Sequence, residues 1–464
     1  MSDRDDPPRH PGPPPAGPPA PGRGGRAPEW WRRGPALAEL GVVLGLSLFY
    51  ALSFHLASPV NGPHEVFGQD SRYILEGLER GKPYRWNPQS HLFYHHVVER
   101  GHAAWQTFFG SGIESTYRYL KLFTAACGLA FLAAMRWLFC ELGLTVFRRV
   151  VLLLLTGVTL TAWFHFAAIE THALALPALA VYLVAAARLR NRSVRGGLDP
   201  FLLVGSLVVC GWTRVDLLRI AAVSTVWLML PCLGRRRRAL VGELALAAAL
   251  IVAGTTWMAH TYLGVPLARA TTLAFTREER PELRARLGRL ANVGPENLTV
   301  VGRAISLYAL VMPVEARAAG RSFLAPPSYA LDLRYSGKGP RPSTRLFLEP
   351  ARNLLGAVLP LLAAGGVAAL LLWAAARSVG RAVAGDAFHT MLGAQALVGW
   401  LLYTWFNPHE PFLWTAEFMP LWIAMIGDRA RSRGRVVWTL LALLALSLAA
   451  HNWFAFYVPF RDPA

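Results

Sequence analysis

The chain has 464 residues, of which 54% are hydrophobic and 16% charged, with a net charge of +19. Soluble proteins carry about 25% charged residues, and apolar runs of roughly 20 residues recur along most of this chain. These features predict a polytopic, all-α membrane protein. They exclude a soluble enzyme, a secreted disulfide scaffold and a β-barrel, which would need short alternating segments.

The positive charge does not point to nucleic acid, because the basic residues sit mostly at the ends of apolar runs. There they act as topology signals and contacts for anionic lipid. Cys127, Cys140, Cys210 and Cys232 lie in or beside apolar runs and form no CxxC pair, so they assign no metal site or disulfide.

Residues 1–34 form a Pro/Gly-rich cytoplasmic tail that cannot bury a core, closed by the interfacial anchor Trp30, Trp31, Arg32 and Arg33. Spans are predicted at 36–57, 117–140, 148–168, 171–188, 200–214, 217–233, 239–263, 353–376, 387–405, 413–427 and 436–458, about eleven in all. The first seven make an N-terminal membrane module over 35–264, and the last four a C-terminal module over 353–464. With the N-terminus cytoplasmic, the inner segments collect 22 arginines, among them Arg148, Arg149, Arg188, Arg190, Arg381 and Arg433. The C-terminus is then outside.

The first long outer segment, 58–116, carries Asp70 and Arg72, then His91, His95 and His96. Asp70 suits a general base for an acceptor hydroxyl or a ligand of a divalent metal; it equally suits a helix N-cap. His91 and His95 are four apart and would share a helix face, as metal ligands or as aromatic packing. Arg118 opens the second span.

Glu170 lies at the tip of the next outer turn, in Trp163-Phe164-His165-Phe166-Ala167-Ala168-Ile169-Glu170-Thr171-His172. An acid between two apolar spans is costly unless solvated or functional. Here the neighbouring histidines favour a cavity-facing role for Glu170 and His172. Arg214 and Asp216 interrupt apolar sequence before Arg219. Both are interfacial if the turn is tight; if the helix is broken at depth, Arg214 suits a phosphate through its planar fork.

The second long outer loop, 265–352, has 14 Lys+Arg against 7 Asp+Glu. It contains a basic helical stretch from Arg277 to Leu290. Its apolar run from Ala304 to Val314 is too short to span and predicts an interfacial or re-entrant helix. Further on, Pro408 and Pro411 bracket His409 and Glu410 in an outer turn, where these two residues and His95, His96 and His172 are placed as cavity-lining groups.

On Asp70, on Ala167-Ala168-Ile169-Glu170-Thr171-His172 and on the span count, the chain resembles the GT-C superfamily of membrane glycosyltransferases, which includes protein O-mannosyltransferases and aminoarabinose transferases. It departs from them in having Asp70-Ser71 where O-mannosyltransferases have adjacent acids, and His172 where the second-loop pattern has Tyr. The resemblance implies a polyprenyl-phosphate-linked sugar as donor, transfer on the outer face of the plasma membrane, Asp70 as base or metal ligand and Glu170 as a second acid. Arg72, Arg118, Arg214 and Arg219 are assigned to the donor phosphate. No cofactor is fixed by the sequence, a divalent metal being open. A transporter or lipid flippase would instead place charge at mid-bilayer depth and show repeated halves. A scaffold acting through the Pro-rich tail is the third reading.

Overall fold

A computed structural model describes residues 29–57, 74–75, 77–79, 92–167, 169, 171–191, 198–213, 217, 237–263, 293–311, 354–406 and 415–456. All of the regular structure in these residues is helical. In chain order the helices are α1 (Glu29–Ala57), α2 (Leu92–Phe109), α3 (Ile113–Glu141), α4 (Val146–Gly157), α5 (Leu160–Ala167), α6 (Ala175–Asn191), α7 (Leu198–Thr213), α8 (Arg237–Leu263), α9 (Pro295–Ile305), α10 (Leu354–Val383), α11 (Ala387–Phe406), α12 (Thr415–Ala430) and α13 (Arg435–Phe456). A 3₁₀ turn, Thr171–Leu174, leads into α6.

Five helices are long and apolar enough to cross a membrane, or six if α4 and α5 are one bent span. α1 starts at Glu29, within the predicted tail segment. The Pro-rich residues 1–28, the span predicted at 217–233 (apart from Leu217) and the basic stretch Arg277 to Leu290 lie outside the described residues.

Burial separates the helices into a centre and a rim. The segment Thr171–Arg190 is 83% buried along its apolar window, whereas Ala239–Tyr262 in α8 is 17% buried. Leu176, Leu179, Ala180, Tyr182 and Leu183 of α6 are sealed in the core, among α3, α7 and α12. α1 exposes Leu37, Leu40, Leu44, Leu48 and Leu52, a three-to-four-residue spacing that forms one apolar stripe. α13 does the same with Val436, Leu440, Leu443 and Leu446. Such stripes suit lipid, which accepts apolar surface that water would not.

The predicted span 148–168 is broken. α4 and α5 meet at 64° across Val158 and Thr159. The break is stable because every freed backbone group named below has a protein partner, as membrane depth requires. The Tyr50 hydroxyl donates to the Gly157 carbonyl at 2.7 Å. The Asn452 amide donates to the carbonyls of Val158 at 2.7 Å and Leu310 at 3.0 Å. The Leu160 N–H donates to Leu310 at 2.9 Å, and the Thr161 hydroxyl to Ala309 at 2.7 Å. A side chain at Gly157 would strike Leu46 of α1 at 2.4 Å, so glycine lets α1 close on the break.

Leu310 belongs to the run predicted as interfacial or re-entrant. The structure places Ala309, Leu310 and Val311 in the core, after α9 has run down beside α11 and α12. The Trp400 indole donates to Leu298 at 2.9 Å and the Trp422 indole to Ile305 at 2.9 Å. Ala309 to Val311 therefore pack inside the bundle, and Ala309 and Leu310 supply carbonyls that cement the break.

One end of the bundle is a lattice of ion pairs. Glu39, fully buried, takes Arg149 at 2.6 Å and also pairs with Arg136. Arg188 bridges Asp199 at 2.6 Å and Glu141 at 2.7 Å. Arg190 bridges Asp386 at 2.8 Å and Asp428 at 2.9 Å, and Asp428 also accepts from His389 at 2.8 Å. These pairs join α1, α3, α4, α6, α7, α11 and α12 and the α10–α11 turn at the side to which alternation in the sequence assigns their arginines. The arginines expected to mark topology are thus also structural ties.

Candidate functional site at the opposite end of the bundle

At the other end, α5 halts after two turns and its last carbonyls point into protein. Lys121, the ninth residue of α3, reaches them: its ammonium donates to the carbonyl oxygens of Ala167 and Tyr50, each at 3.3 Å. Its side chain is 94% buried. A positive charge at a helix C-terminus is favourable, and a charge taken this deep demands multiple polar contacts. Three helices converge tightly beside it. A side chain at Gly128 would lie 2.9 Å from the Tyr50 ring and 3.0 Å from Phe166.

His165 of α5 is fully buried, with its ring 5.8 Å from that of His172. The Thr171 hydroxyl lies 3.4 Å from His172 Nδ1. α12 packs against α5, and its first turn holds Glu417, buried and accepting from the Tyr403 hydroxyl of α11. Glu417 also lies within electrostatic reach of Cys210 in α7. Lys121 and the His165–His172 pair thus lie at the end of α5, and the buried Tyr403–Glu417 pair lies at the first turn of α12, a helix packed against α5. Ile169 and Thr171, on either side of Glu170 in the chain, are both buried.

α2 roofs this end. Thr116 of α3 gives its one hydroxyl proton to Glu79, so His102 donates to Thr116 Oγ1 through Nε2, at 2.7 Å. The Tyr119 hydroxyl donates to the Val98 carbonyl at 2.9 Å. His96 Nδ1 and the Tyr262 hydroxyl of α8 share a bond of 2.6 Å, the tautomer deciding which donates. The Trp257 ring stands edge-on to His96 at 5.0 Å. His95 is buried, and burial pushes its imidazole down to about 4; desolvation also lowers His96 and His102.

Of the residues singled out from sequence, four lie among those described. His172 lies beside His165. His95 and His96 serve the docking of α2. Arg118 lies on the outward stripe of α3, 67% exposed and paired with Glu114 one turn before it, at 2.9 Å. Asp70, Arg72, Glu170, Arg214, Arg219, His409, Glu410 and also His91 lie outside the described residues. Among the described residues no group of three or more His, Cys, Asp or Glu is placed to hold a metal ion.

Lys121, Glu417 and Tyr403 were not singled out from sequence. A compositional signal marks Lys121: only three of the 47 basic residues are lysine, and this one sits inside an apolar run. Glu417 was legible as an acid in a predicted span, 413–427, a position that is costly without a partner.

No family model, no curated protein and no solved structure matches this chain.

Proposed function

We propose that the chain is a membrane glycosyltransferase, with about eleven spans and its arginine-rich end cytoplasmic, that moves a sugar from a polyprenyl phosphate to an acceptor hydroxyl at the opposite end. The observation that carries this reading is a set of buried ionisable groups: Lys121 on the last carbonyl of α5, His165 beside His172, and Glu417 bonded to Tyr403 on helices packed nearby. Ionisable groups so placed are expensive in a bilayer and mark reaction or transport paths.

In the proposed step the acceptor oxygen bonds to the anomeric carbon while the bond from that carbon to the phosphate oxygen breaks. Asp70 takes the hydroxyl proton, and the polyprenyl phosphate leaves with its bonding pair. Charge grows on the leaving phosphate, so fixed positive charge is the main catalytic demand. Lys121, anchored by two carbonyls, supplies such a charge. Glu170 follows, three residues along the chain, the residue whose carbonyl Lys121 holds. Arg118, exposed and paired with Glu114, is better suited to the lipid headgroup region than to the reacting phosphate.

The broken span is the feature that favours the second reading, a transporter, since broken helices offer carbonyls to ions. Here the Leu310 carbonyl already accepts two donors, and those of Gly157 and Val158 accept side chains. The break is spent on cementing the fold, which favours transfer.

The test is transfer of radiolabelled sugar from polyprenyl-phosphate donors in membranes holding wild type, Asp70→Asn or Glu170→Gln. Product from wild type, with at least a hundredfold loss in Asp70→Asn, is expected. Equal product from both would remove Asp70 from the mechanism. No product from any donor with correctly inserted protein would overturn the reading.

A further inference from the structure

The ion-paired end contains one region where the pairing is lopsided. Arg190, Arg377, Arg381, Arg429 and Arg433 bring five guanidiniums to the corner between the end of α10 and the turn from α12 to α13. The carboxylates there, Asp386 and Asp428, are already engaged: Arg190 holds both, and Arg381 adds contacts of 3.2 and 3.4 Å. Arg429 feels the repulsion of Arg377, Arg381 and Arg433. Its Nε is buried and has no hydrogen-bond partner among the described residues. Arg433 lies over the face of Trp373, 5.8 Å from the ring centre, so the indole holds it toward α10.

Arginines crowded this way repel one another unless an anion joins them. A planar guanidinium matches phosphate oxygens in paired bonds, and Trp373 marks the interfacial level at which lipid phosphates lie. The neighbouring faces of α10 and α13 expose Leu372, Val379, Val436 and Leu440, which gives acyl chains a surface next to the cluster.

We propose that Arg377, Arg381, Arg429 and Arg433 form a binding site for a phosphate group, carried by an anionic lipid of the adjoining leaflet or free in solution. The site is independent of the transfer reaction, lying at the other end of the bundle.

Native mass spectrometry of the full chain in detergent tests this, with cardiolipin, phosphatidylglycerol and phosphatidylcholine as probes and inorganic phosphate as competitor. Wild type should retain the anionic lipids, and the triple variant Arg377→Gln/Arg429→Gln/Arg433→Gln should bind them about tenfold more weakly or worse. Arg192→Gln/Arg195→Gln lowers charge in a segment that the sequence assigns to the same side, and should leave retention within about twofold of wild type. Circular dichroism and thermal unfolding would confirm that each variant is folded, and Arg429→Lys replaces the triple variant if that fails. Retention that millimolar phosphate does not displace assigns the site to lipid; displacement assigns it to soluble phosphate. Equal retention of phosphatidylcholine, or equal loss in the control variant, would overturn the site.

Discussion

The two ends of the bundle solve the same problem differently. At the arginine-rich end, buried charge meets opposite charge: Arg188 with Asp199 and Glu141, Arg190 with Asp386 and Asp428, Glu39 with Arg136 and Arg149. At the other end, Lys121 meets backbone carbonyls, Glu417 a phenol, and His165 stands beside the His172 ring. Ion pairs lock helices together and hold topology. Charges held by neutral dipoles remain able to answer a ligand's charge. The difference teaches that burial of polar groups alone does not mark a site; the kind of partner does.

The comparison breaks or sharpens on three measurements. Asp428→Ala takes from Arg190 one of its two carboxylates and from His389 its acceptor, and breaking a buried pair in this way costs about 3 kcal/mol. Folded yield and thermal stability in detergent should fall sharply; a drop near zero would mean the lattice is ornamental.

The pH dependence of α2 comes next. Burial holds His95 at about 4 against its ordinary 6.5, so the undocked state takes up the proton first as pH falls. Docking of α2 is at full strength above about 6.5 and weakens toward 4, by up to about 3 kcal/mol. Hydrogen exchange over 92–109, followed from pH 7 to pH 5, should show the loss, and His95→Phe should flatten it. Unchanged protection in wild type would contradict the burial of that ring.

The smallest effect on stability belongs to Lys121→Met. Replacing a buried ammonium with an apolar side chain of similar length is often near neutral, so thermal stability should move by about 1 kcal/mol at most while sugar transfer is lost. A stability loss as large as that of Asp428→Ala would make the two ends alike.

Much of the fold is legible in the sequence. Ten of the eleven predicted segments fall on described helices, five or six of which are long and apolar enough to cross a membrane, because hydropathy and length are local properties. The break at Val158 is not legible. Residues 150–164 are apolar apart from three threonines and Gly157, and the backbone groups freed at the bend are taken up by Tyr50, Asn452 and Leu310, distant in sequence. At the candidate site, His172 was found through its neighbours in the chain, whereas Tyr403 reads as one more interfacial aromatic until Glu417 is seen beside it.

The sequence by itself determined that the chain is helical and apolar, where its helices run, and that its arginines gather toward one side. Each of these follows from hydropathy and charge counted along a line. Tertiary structure decided which helix is central, which arginines are paired, and that a lysine eight residues into α3 holds the end of α5. Those outcomes depend on contacts between residues 11 to 294 positions apart, and a one-dimensional pattern carries no record of which partners will meet.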